Sequence, residues 1–179
     1  MRLIPKPEPG EYPDYADRYI NLLPADGLIL EHLADNFRLV KDFIYSLPPK
    51  KLLYRYSEDK WTIKEILVHV VDDERIYAYR ALCFARNEKQ SLPGFDQDEY
   101  TRYSGANERG LTNIFEEYEA VRRATVCLFD GLPEESLTRK GTGSSSYHAA
   151  TVRALAYHIA GHELRHINII KEKYLRGSV

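Results

Sequence analysis

Residues 151–175 read TVRALAYHIAGHELRHINIIKEKYL and hold three of the chain's six histidines. Apolar residues recur at steps of three and four, which predicts one long amphipathic helix from Thr151 to Leu175. At about 100° per residue with Leu155 at zero, Ile159 lies near 40°, His162 near −20°, His166 near 20° and Ile170 near 60°. His162 and His166 therefore fall inside the apolar stripe. His158 lies on its flank at about −60°, while Arg165 at about −80° and Glu163 at about 80° take rim positions. Residues four apart on a helix stand about 6 Å from each other, close enough for two imidazoles to converge on one cation. His158 and His166 are about 12 Å apart along the axis, too far to share that cation without strain. The favoured pair is His162 with His166.

Working outward, three more segments carry a helical period. Leu30, Leu33, Phe37, Val40 and Ile44 form the inner stripe of a helix from Asp26 to Ser46, stopped by the prolines of LPPKK. A second helix opens at WTIKE, where Thr62 and Glu65 have capping-box spacing, and continues to Asn87. Its inner face carries Ile66, Val70, Tyr77, Ala81 and Phe84. A third spans Leu111 to Phe129, with Ile114, Phe115, Tyr118, Val121, Thr125 and Leu128 facing inward. Four stripes that must each be buried make an all-α four-helix bundle the economical architecture. The link EKQSLPGFDQDEYTRYSGANERG is longer than a helix hairpin needs, which suggests a crossover or a loop covering a site. The first 24 residues carry five prolines. They read as an extended N-terminal arm over a bundle domain of residues 25–179.

A metal needs further ligands. His69 in ILVHVVDDERIYAY lies on the inner stripe of the second helix and can face the fourth. Three neutral imidazoles would leave coordination positions open, the catalytic rather than the structural arrangement. Asp73, one turn after His69, could fix the tautomer of a ligand histidine, with Asp72 as the alternative. No Ser–His–Asp or Cys–His spacing supplies another nucleophile. Cys83 and Cys127 read as free, buried thiols without a CxxC partner. His32 and His148 read as surface residues.

The chain of 179 residues has a formal net charge of −2 and no basic block, which argues against nucleic-acid binding. No stretch has the roughly 18 apolar residues of a membrane helix, and the N-terminus lacks a signal-peptide core, so a cytoplasmic location is expected.

Several stretches together resemble the DinB-like superfamily: WTIKEILVHVVDDERIY, LPGFDQDEY, ANERGLTNIFEEYEAVRRATVCLFDGLPEESLTRKG, and the histidine helix itself. The resemblance covers residues 23–175. It implies a DNA-damage-inducible-type four-helix bundle related to bacillithiol S-transferases and mycothiol-dependent isomerases. It implies one divalent ion, zinc or nickel, held by His69, His162 and His166. The expected function is metal-dependent activation of a thiol or water, giving thiol transfer or hydrolysis on a small-molecule substrate, with a low-molecular-weight thiol as a candidate co-substrate. The alternative is a non-catalytic, metal-stapled stress-response bundle acting through protein interactions. The resemblance admits a homodimer, and its long loop near the bundle mouth makes Asp96 a candidate site-lining carboxylate. Many relatives read GHELHH where this chain has Arg165, and an apolar residue where it has His158. His158 is then a packing residue or an extra base.

Overall fold

The computed structural model describes residues 1–143 and 149–175, so His148 lies outside the described residues. Four long helices form the bundle: α2 (Ile29–Tyr45), α3 (Ile63–Ala85), α5 (Leu111–Asp130) and α6 (Val152–Ile169), with short helices α1 (Asp17–Ile20) and α4 (Gln97–Tyr103) outside it. The predicted four-helix architecture is the observed one. Helices α2 and α3 each pack on both α5 and α6, so consecutive α2 and α3 lie across a diagonal. The widest interface joins α3 to α6. Aromatic contacts fix its antiparallel sense, since Trp61 meets His166 near one end and Tyr77 meets His158 near the other.

The start of α3 follows its sequence signal. The Thr62 hydroxyl accepts from the Glu65 amide at 3.1 Å, and the Glu65 carboxylate accepts from the Thr62 amide at 2.7 Å. That box satisfies two amides a helix start would otherwise leave exposed. Thr62 also donates to Asn107 at 2.7 Å, tying the long connection to α3. The connection is not a plain loop, because it carries α4 and a 3₁₀ turn at Ala106–Glu108. Helix α6 begins at its Thr151 cap, and its last turn widens into a π-helical turn over Ile170–Tyr174.

Four expectations need correction. The arm is less extended than its prolines suggest, with a 3₁₀ turn at Asp14–Ala16 followed by α1. It also contributes to the core, for Ile4, Ala16 and Ile20 are fully buried in one cluster with Leu155 and Ile159. A two-residue antiparallel ribbon, β1 (Lys140–Gly141) with β2 (Ala150–Thr151), precedes α6 where no strand was expected. Both cysteines are free, but Cys83 is half-buried and Cys127 exposed. Finally, the buried face of α5 includes Arg122 and Phe129, while Val121 and Leu128 are only half-buried.

The arm is held by Tyr157, whose hydroxyl donates to the Ile4 carbonyl at 2.9 Å, and by a paired contact of Arg153 with Glu11 at 2.6 and 2.7 Å. Gly161 makes its closest approach possible: a Cβ there would stand 2.3 Å from the Tyr19 carbonyl oxygen. Backbone cannot yield as a flexible side chain can. Gly161→Ala is therefore expected to cost about 1–3 kcal/mol by overpacking. Denaturant melts check this; an unchanged midpoint would mean the arm lifts off freely.

Candidate metal centre

Three imidazoles meet between α3 and α6. His162 is central, its Nε2 standing 3.2 Å from His69 Nε2 and 3.1 Å from His166 Nε2. All three ligand atoms lie within 4.8 Å of one another. Two nitrogens bound tetrahedrally to one zinc at about 2.05 Å would be about 3.3 Å apart. Both His162 separations match that spacing, so the donor set fits one divalent ion. His69 and His162 are buried, at 3% and 5% exposure, and His166 is half-buried.

The outer nitrogen of His162 is also accounted for. Its Nδ1 faces Asp73 Oδ2 at 3.3 Å. A carboxylate there keeps the proton on Nδ1 and leaves the Nε2 lone pair directed at the cluster. Asp72 does not take this role, since it lies toward Arg75 at 3.6 Å. His158 stays outside the trio. It is buried and stacked on Tyr77, with centroids 3.9 Å apart and planes 2° from parallel, and its Nε2 is 3.6 Å from the same Asp73 oxygen. Asp96 caps α4, accepting from the amides of Asp98 and Glu99, and also lines a cavity of about 470 Å³ with His158 and His162. His32 is half-exposed and bonded to Asp26 at 2.9 Å.

Two aromatic residues complete the surroundings. Trp61 lies 4.6 Å from the His69 ring and stacks over His166 at 6.2 Å. It is anchored by its carbonyl, which accepts from the Tyr174 hydroxyl at 2.6 Å. Tyr19 of the arm meets His158 and His162 edge-on at 5.0 and 5.4 Å. A second cavity, of about 350 Å³, is lined by His162, His166, Trp61, Tyr19 and Gln97 among others. Tyr19 and Gln97 border both cavities, and both cavities reach His162. Sequence reasoning missed Tyr19 and Gln97. Gly161 was the available signal for Tyr19, because a glycine inside a helical pattern marks a close backbone approach.

Burial sets the protonation of the cluster. It pushes His69 down to about 3, helped by the charge of His166. His166 falls to about 4 through burial and the nearby Arg165, and His162 falls well below its ordinary value, again mainly through burial. Neutral imidazoles are the form that binds a metal. An unfolded histidine takes up a proton below about pH 6.5, whereas these resist until about 4 and 3. The unfolded state then binds more protons in that window, so their contribution is complete above about pH 6.5 and is lost as the pH falls through it. Denaturation of the metal-free protein between about pH 7 and pH 4 should show this loss, with a shallower slope in His69→Phe. Equal slopes in the two proteins would mean that His69 is not held neutral.

Behind the imidazoles lies a buried charge cluster. Arg122 donates through Nε and Nη2 to Glu74 at 3.0 and 2.9 Å, and lies 3.2 Å from Glu163. It also donates to the Leu33 carbonyl of α2, and Tyr118 donates to Glu163. Glu163 is fully buried, not at the rim where the helical wheel put it. Burial raises its pKa, opposed by Arg122.

A helical bundle with three histidines converging from two of its helices defines the class. The chain belongs to the DinB superfamily, whose sequence profile matches residues 30–170. Among solved structures it is similar to YfiT from Bacillus subtilis, described as a probable metal-dependent hydrolase with an unusual four-helix bundle topology. That likeness has a TM-score of 0.70 at 15% identity and covers 96% of this chain and 92% of YfiT. No curated protein matches the chain. Among the described residues no helix is long and apolar enough to cross a membrane.

Proposed function

We propose that the protein is a metal-dependent enzyme in which His69, His162 and His166 hold one divalent ion, zinc or nickel, and a thiol or water attacks a small-molecule electrophile. The observation that carries this reading is the convergence of three Nε2 atoms beside a cavity of about 350 Å³. A divalent ion bound there would lower the pKa of a thiol or water and so supply a nucleophile near neutral pH. The chain's own residues do the rest. Asp73 holds His162 in the ligand tautomer. Trp61 covers His69 and His166 on one side, limiting the approach of bulk water. Tyr19 and Gln97 stand where the two cavities meet, so they sort what reaches the cluster from either side.

Three protein ligands among the described residues, rather than four, favour an enzyme over a stapled interaction module. Metal analysis of the purified protein tests the first half of the reading, with one equivalent of zinc or nickel expected. The second half is tested by thiol transfer to 1-chloro-2,4-dinitrobenzene and by hydrolysis of p-nitrophenyl esters, each with and without chelator. A bound metal combined with rates indifferent to chelator would support the non-catalytic bundle instead.

A further inference from the structure

We propose that the cavity beside the histidine cluster takes a substrate bearing an anionic group, carboxylate or phosphate, which Arg18 and Arg165 hold between the arm and α6. The proposal rests on reading the cluster as an enzyme's metal centre and names the kind of molecule that centre acts on.

Arg18 and Arg165 line the same cavity as His162 and His166. They come from separate elements, α1 and α6, and are both exposed. Neither makes an ion pair among the described residues. Arg18 donates through Nε to the Tyr15 carbonyl at 2.9 Å, which orients the guanidinium and leaves its terminal N–H groups available. Tyr19 lies beside Arg18, whose guanidinium is 5.9 Å from its ring centroid. Burial raises the Tyr19 phenol, and the charges of Arg18 and Arg165 both oppose that rise. The other charged residues of the cavity leave this positive excess in place. Lys60 is paired with Asp59 at 2.5 Å, so those two cancel. Asp98 is the remaining acid and belongs to the first turn of α4.

Two unpaired guanidiniums on one concave wall repel each other in the free protein, and an anion relieves the repulsion. Each planar fork can also give two parallel hydrogen bonds to a carboxylate or phosphate. A concave wall of one sign concentrates the field that draws such a molecule in.

The test is calorimetric titration of the zinc-loaded protein with succinate and with glycerol 3-phosphate. Arg18→Ala and Arg165→Ala should each weaken anion binding about three- to tenfold, and the double variant by more than tenfold, with zinc content unchanged. Affinity should also fall as salt shortens the screening length below about 10 Å. The tighter of the two probes identifies the group as carboxylate or phosphate. The proposal is overturned if neither anion binds, or if the double variant binds both as the wild type does, because zinc alone would then hold them. Metal-free protein should bind more weakly yet keep its dependence on both arginines. Failure to take up zinc would therefore overturn the metal reading and leave the arginine dependence measurable.

Discussion

Arg122→Met is expected to destabilise the protein by about 3–5 kcal/mol, the cost of removing one partner from a buried ion pair. At this chain length that lowers the melting temperature by on the order of 10 °C. The guanidinium is the positive charge that Glu74 and Glu163 both face, and both carboxylates are buried at 1% exposure or less. Methionine nearly fills the volume but leaves two carboxylates without a counter-charge. Burying an uncompensated charge costs far more than losing the contact itself. Arg122 also joins α5 to α3, α6 and, through the Leu33 carbonyl, α2, so one substitution loosens all four long helices. The charge account has its own control. Glu74→Gln and Glu163→Gln, added to Arg122→Met, remove the stranded charges and should recover part of the loss. If the triple variant melts no higher than Arg122→Met, the damage is a packing defect and the buried charges are not its cause. A cost for Arg122→Met below about 1 kcal/mol would place this pair with exposed salt bridges.

This cluster also marks where sequence reading stops. The inner stripes of α2 and α3 were legible because aliphatic and aromatic residues at helical spacing have one low-energy place to go. His69, His162 and His166 were legible for the same reason, since each replaces an apolar residue within a stripe. Glu163 and Arg122 were not. A wheel assigns any charge to the rim, yet each of these charges cancels another that is also buried, and pairing across three helices is invisible from any one of them. Capping at Thr62 was readable because the box is local. The turn and short helix of the arm were not, because Asp14–Ile20 is too short to show a period and is stabilised by α6, which it covers. Asp96 illustrates a further limit: its capping role is set by its own next two amides, while its place beside the cavity depends on how the long connection folds back.

His162→Ala should abolish metal binding, from one equivalent to less than about a tenth, because among the described residues three ligands leave no spare donor in the cluster. His162 is the sharpest choice, being the nitrogen near both of the others. Asp73→Asn tests the same site one bond further out. The amide can still occupy the space, but it no longer selects the Nδ1–H tautomer, so affinity should fall about 10- to 100-fold without the site being lost. His158→Phe separates coordination from packing. Its ring stacks on Tyr77 and its nitrogens stand outside the trio, so phenylalanine should keep the stack and leave metal content intact. Zinc competition with a chromophoric chelator reads all three variants on one scale. The expected order of affinity is His158→Phe near wild type, Asp73→Asn below it, and His162→Ala without measurable binding. Full metal content in His162→Ala would move the centre elsewhere. Loss of metal in His158→Phe as complete as in His162→Ala would make His158 a ligand, and the helix that opened as three histidines would hold three donors instead of two.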